Sequence, residues 1–140
     1  MKRIWIASAT FAFLTAQAHA SAGFSCEADD KNVTKLVVEG ATPRSGGNLI
    51  NFGAVLEIGD RKIEFKQSDV KRYYGVGGTI QVRVAAQSGE QNYIVAVNAK
   101  RNPKDEDDWA GTYEVTQGLA DKKSKAKANV IRGKVKCFVE

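Results

Sequence analysis

The chain has 140 residues, a net charge of +5, two cysteines and a single histidine, His19. His19 lies within the first twenty residues, so a chain cleaved after them has no imidazole for Ser-His or Cys-His catalysis or for a metal site. The roughly 120 residues that remain suffice for one domain with one core and are too few for two.

Residues 1–20, MKRIWIASATFAFLTAQAHA, have the parts of a secretory signal. Lys2 and Arg3 start it, an uncharged apolar stretch runs from Ile4 to Ala16, and Ala18 and Ala20 supply small residues for cleavage. Ala22 offers a second cut, so the mature start falls after Ala20 or Ala22. The apolar stretch is shorter than the roughly 20 residues needed to span a bilayer, and no transmembrane segment is expected after cleavage. Cys26 lacks the small and aliphatic residues that precede a lipidated cysteine, since Gly23-Phe24-Ser25 stands there. Loss of Lys2 and Arg3 leaves 19 bases against 16 acids, a net of +3. The expected location is the periplasm or the outside of the cell, and the short signal suits a bacterial source.

Cys26 and Cys137 are the only cysteines, near either end of the expected mature chain. In an oxidising compartment they pair in the one way available and close a single β domain over 21–140. A redox dithiol normally sits as Cys-x-x-Cys, and two thiolates without histidine leave zinc two ligands short. No metal or other cofactor is expected.

Between the cysteines, apolar residues alternate with polar ones. Phe24 and Cys26 share one face. KLVVEG (35–40) follows, then NLINFGAVLEI with Ile50, Phe52, Ala54, Leu56 and Ile58 on one side, then RKIEFKQ (61–67). TIQVRVAAQ places Ile80, Val82 and Val84 inward and Gln81 and Arg83 outward. NYIVAVNAK (92–100), GTYEVTQ (111–117) and GKVKCFVE complete the series, the last with Val135 and Cys137 inward and Lys134 and Lys136 outward. Period-two patterns of this kind mark strands with one face on a core. The separators ATPRSGG, IGD, QSGEQN and RNPKDEDD are turn material. The expected fold is all-β, about eight short antiparallel strands in a small barrel or sandwich.

Two segments fit this pattern poorly. VKRYYGVGG (70–78) carries Val70, Tyr73 and Tyr74 at i, i+3 and i+4 behind Ser68, which suggests a helical turn over 68–75, although tyrosine and valine also favour strands. Residues 119–130 are rich in alanine and lysine, good helix formers without an apolar stripe, and suggest either a short surface helix or a long mobile connection before the last strand. Asp105-Glu106-Asp107-Asp108 lacks the spacing of a calcium loop and is expected to be a solvated hairpin loop. Trp109 beside it either caps the core or offers a ring to a ligand.

Ser68-Asp69-Val70-Lys71 and Ser124-Lys125-Ala126-Lys127 both fit S-x-x-K, but the companion signatures of Ser-Lys enzymes are missing. The reading is therefore a non-enzymatic, exported β-domain that binds a cell-envelope or extracellular macromolecule. Its partner is an unidentified protein or an anionic envelope polymer. Residues 121–140 hold seven bases against Asp121 and Glu140. This places candidate contacts at Lys122, Lys123, Lys125 and Lys127, joined by Lys71, Arg72, Tyr73, Tyr74 and Trp109. Nucleic acid is not expected, because export separates the protein from it and the lysine run has no aromatics for stacking. One alternative is a lipocalin-like carrier of a small apolar ligand. Another follows from outline alone, since a small exported β-domain with few cysteines is similar to periplasmic inhibitors of lysozyme-type enzymes. That resemblance implies a protein partner, though a basic chain meets basic lysozymes with unfavourable charge.

Overall fold

The computed structural model describes residues 21–43, 47–123 and 125–140. The expected signal (1–20), part of the ATPRSGG turn and Ser124 lie outside the described residues. Among these residues nine strands follow one another: β1 (Ser21–Ala28), β2 (Lys35–Pro43), β3 (Asn51–Ile58), β4 (Arg61–Lys66), β5 (Val70–Val76), β6 (Thr79–Ser88), β7 (Gln91–Asn102), β8 (Asp105–Leu119) and β9 (Asn129–Val139). They form one antiparallel sheet in the order β4-β3-β2-β1-β9-β8-β7-β6-β5, nearly closed into a barrel.

The near-closure comes from a bend. A 3-10 turn at Gln67–Asp69 joins β4 to β5 and touches both β3 and β6, while β4 pairs with β3 and β5 with β6. Residues 61–76 thus act as one kinked stave shared by the two ends of the sheet. Counted this way, the up-and-down barrel has eight staves, each beside its chain neighbour, with β9 returning to β1.

The inward faces supply the core. Leu36, Val38, Leu56, Val84, Val95, Tyr113 and Val115 are almost wholly buried, as are both cysteines. Burying a leucine such as Leu36 or Leu56 contributes roughly 2–3 kcal/mol. Cys26 and Cys137 face each other across β1 and β9, with Cα atoms 4.0 Å apart, and their disulfide staples the first stave to the last. The bridge spans 111 residues, so it restricts nearly the whole unfolded chain.

Two aromatic residues lean over glycines in the interior. A Cβ at Gly133 would overlap the Tyr113 ring and the Asp30 carboxylate, and one at Gly40 would lie 2.8 Å from Cζ of Phe24. Gly133 therefore lets the Tyr113 hydroxyl cross its partner strand and donate to Asp30 Oδ2 at 2.7 Å. Asp30 Oδ1 in turn accepts from the backbone N–H groups of Asn32 (2.7 Å) and Val33 (3.0 Å), which pins the β1–β2 loop over this end of the barrel. We call this end the lower mouth.

Three expectations are corrected. No helix occurs over 68–75, because 70–76 is strand and only Gln67–Asp69 turns. A register shift between Val70 and Arg72 makes Lys71 an extra residue, so Val70 and Tyr73 both face inward at a spacing of three. A β-bulge thus imitated helical periodicity. Among the described residues of 119–130 there is likewise no helix; β8 ends at Leu119 and β9 begins at Asn129. The acidic run is a bulge of β8 more than a loop. Asn102 pairs with Asp105 and Arg101 with Trp109, leaving Glu106, Asp107 and Asp108 between. The turn proper is Pro103-Lys104 alone.

Candidate functional site

Among the described residues, inward positions hold packed side chains, and cavities of ligand size lie on the outer wall and at the mouths. At the upper mouth, Tyr73, Trp109, Phe24, Ile80 and Val139 surround a cavity of about 130 Å³ beside the Gly77-Gly78 turn. Both glycines have positive φ, 67° and 75°, as a two-residue hairpin turn of the I′ type demands. Tyr73 stacks on Phe24 with ring centroids 6.0 Å apart, and burial raises its hydroxyl pKa against the pull of a Thr42 hydrogen bond. The Trp109 indole N–H donates to the Glu106 carbonyl at 3.1 Å, and its ring is buried. Both rings cap the core at this mouth.

The outer wall is organised by register. In β5–β9 one cross-strand row reads Arg72, Arg83, Ala96, Glu114, Arg132. The next row reads Tyr74, Gln81, Asn98, Thr112, Lys134, and the one after it includes Lys100 and Lys136. The first row, with Gln81, Asn98 and Thr112 of the second, lines an open groove of about 430 Å³. Six cations, Arg72, Arg83, Lys100, Arg132, Lys134 and Lys136, thus share these rows with Glu114, which Arg132 Nε holds at 2.9 Å, while the acidic bulge Asp105–Asp108 of β8 borders them at the upper end. At the seam with β1, Lys136 stands opposite Glu27. On β1–β4 the outer face carries Glu27, Glu39, Glu57 and Glu64 against Lys35, Lys62 and Lys66, so the wall is electrically two-sided.

No protein-family model matches the chain, and no curated protein matches it closely enough to be counted a relative.

The residues singled out from sequence are dispersed. Arg72 lines the groove, and Tyr74 stands exposed at its edge. Lys71 is exposed at the bulge. Tyr73 and Trp109 come together, but inside the upper mouth. Lys122, Lys123, Lys125 and Lys127 are exposed in the β8–β9 connection at the lower mouth, away from both. Arg83, Lys100, Arg132, Lys134 and Lys136 escaped selection as a group because they are divided among β6, β7 and β9 and meet only across the sheet. Their signal was outward parity: Arg83, Lys134 and Lys136 are polar-face residues of clearly alternating strands.

Proposed function

We propose that this is an exported, non-catalytic binding domain whose β5–β9 outer wall engages an acidic macromolecule of the cell envelope. The register that gathers six cations in three adjoining cross-strand rows, in which Glu114 is already ion-paired to Arg132, carries the reading. A one-sign surface concentrates an oppositely charged partner and speeds its encounter. The filled interior favours a surface role over the carrier alternative, since Tyr93, Tyr113, Leu36 and Leu56 occupy the space a barrel ligand needs. Glu114 is tied to Arg132 and has no second carboxylate across the groove, which weighs against paired-carboxylate hydrolysis.

Retention on an immobilised acidic polysaccharide, followed against rising salt, tests this. Replacing Lys100, Lys134 and Lys136 with Gln should release the protein at markedly lower salt. Replacing the loop lysines Lys122, Lys123, Lys125 and Lys127 should shift elution much less. Equal loss from both sets, or loss from the loop set alone, contradicts the wall as the binding face.

A further inference from the structure

We propose that Arg72 and Arg83 form a two-arginine clamp for one anionic group, a carboxylate or a phosphate, on a hydroxyl-rich chain lying along Gln81, Asn98 and Thr112. This rests on the outer wall being the binding face and adds which atoms recognise what.

The first observation is an unfavourable pairing. Arg72 and Arg83 are directly opposite each other on β5 and β6, where like charges cost stability. Neither side chain has a hydrogen bond, ion pair or ring contact among the described residues. In the same row Arg132 stands opposite Glu114 and is ion-paired to it, so the fold can satisfy an arginine at this level and leaves two unsatisfied. The register that opposes them is set by the turn. With Val76 paired to Thr79 across Gly77-Gly78, counting back four residues on β5 and forward four on β6 meets Arg72 and Arg83.

The second observation is what lies beside the pair. Ala96, next in the row, leaves the groove floor open between Arg83 and Glu114. Gln81, Asn98 and Thr112 follow on three successive strands, about 10 Å end to end at one strand spacing per step. None of their side chains has a hydrogen bond among the described residues. Amides and hydroxyls both donate and accept, which matches the hydroxyls of a sugar or polyol. The half-exposed ring of Tyr74 flanks the row and offers an apolar face to a ring or methylene edge. Two guanidinium forks facing one another can both donate to one carboxylate or phosphate. A protein partner would instead seek a deep, enclosed pocket for an anchoring side chain, and this groove is open and shallow.

Titration of the purified protein with oligogalacturonate, poly(glycerol phosphate), neutral dextran and polyglutamate tests the clamp. At least one of the first two should bind well above dextran and polyglutamate, and the better one identifies the anion. Arg72→Gln with Arg83→Gln should weaken that binding about tenfold or more, the size expected for losing charge-assisted hydrogen bonds. Arg72→Lys with Arg83→Lys should recover only part of it. Thermal unfolding of each variant checks that the fold is intact. Binding of polyglutamate as tight as that of either hydroxyl-rich polymer would overturn the glycan assignment in favour of an acidic protein. Unchanged binding in the double Gln variant sinks the clamp. If Lys100→Gln, Lys134→Gln and Lys136→Gln together still abolish binding, the wall reading survives that loss; if neither set matters, both readings fall.

Discussion

Arg72 and Arg83 oppose each other across β5 and β6 with no counter-charge among the described residues, although every neighbouring position of the row is small or ion-paired. The arrangement costs the folded state something, and the proposed anion would offset that cost. Replacing either arginine with Gln should therefore leave the isolated protein as stable or more so, by roughly 0.2–1 kcal/mol. Thermal unfolding at low salt would show the gain, and added salt would shrink it by screening the repulsion in the parent protein. A clear loss of stability would mean that these side chains have a packing role.

The Cys26–Cys137 bridge closes nearly the entire chain. The double Cys→Ala variant should lose about 4–5 kcal/mol, the chain-entropy value for a loop of this order, plus a contribution from two shortened core side chains. Denaturant unfolding followed by the buried Trp109 is the measurement. A loss under about 1 kcal/mol would show that the β1–β9 seam holds without its staple.

The Asp30–Tyr113 contact makes stability depend on pH at both extremes. The Tyr113 hydroxyl, helped by the Asn32 and Val33 N–H groups, holds the Asp30 pKa below its ordinary 3.8 despite some desolvation. A depressed pKa stabilises the fold above the unfolded value, and this is lost as pH falls through the folded one. Asp30→Asn should destabilise the protein near neutrality, and the difference from the parent should vanish well below pH 3.8. Burial, then the Asp30 bond and charge, push the Tyr113 pKa above its usual 10.0, so a second stabilising contribution is present below pH 10.0 and fades above it. A difference between Asp30→Asn and parent that stays constant across acid pH contradicts the linkage.

Gly133→Ala tests the packing under that contact. Its new methyl would meet the Tyr113 ring, with Cζ only 2.6 Å from the added atom. The expected cost is about 1–3 kcal/mol, typical of overpacking, with loss of the acid-pH dependence if the ring is displaced from Asp30. A neutral effect would mean that Tyr113 can shift freely.

Much of the fold was legible in the sequence because period-two alternation reports directly on a two-sided sheet. TIQVRVAAQ, NYIVAVNAK and GKVKCFVE all appear as strands, the first and last with the faces expected of them. The stretch 68–75 was misleading for a local reason: the bulge at Lys71 spaces Val70 and Tyr73 as a helix would. The candidate site was far less legible. Lys122 to Lys127 stand out as a run, whereas Arg72, Arg83 and Arg132 are up to 60 residues apart and become a row only through the register of β5–β9. Cross-strand neighbours are a property of hydrogen-bonded pairing, and no linear window contains them.

Backbone amide chemical-shift mapping with a short acidic oligosaccharide tests the central claim most directly. The wall reading predicts shifts concentrated at Arg72, Gln81, Arg83, Asn98, Thr112 and Lys134, scattered over five strands but contiguous on the outer face. Shifts confined to Lys122–Lys127, or to the upper mouth around Tyr73 and Trp109, would contradict it.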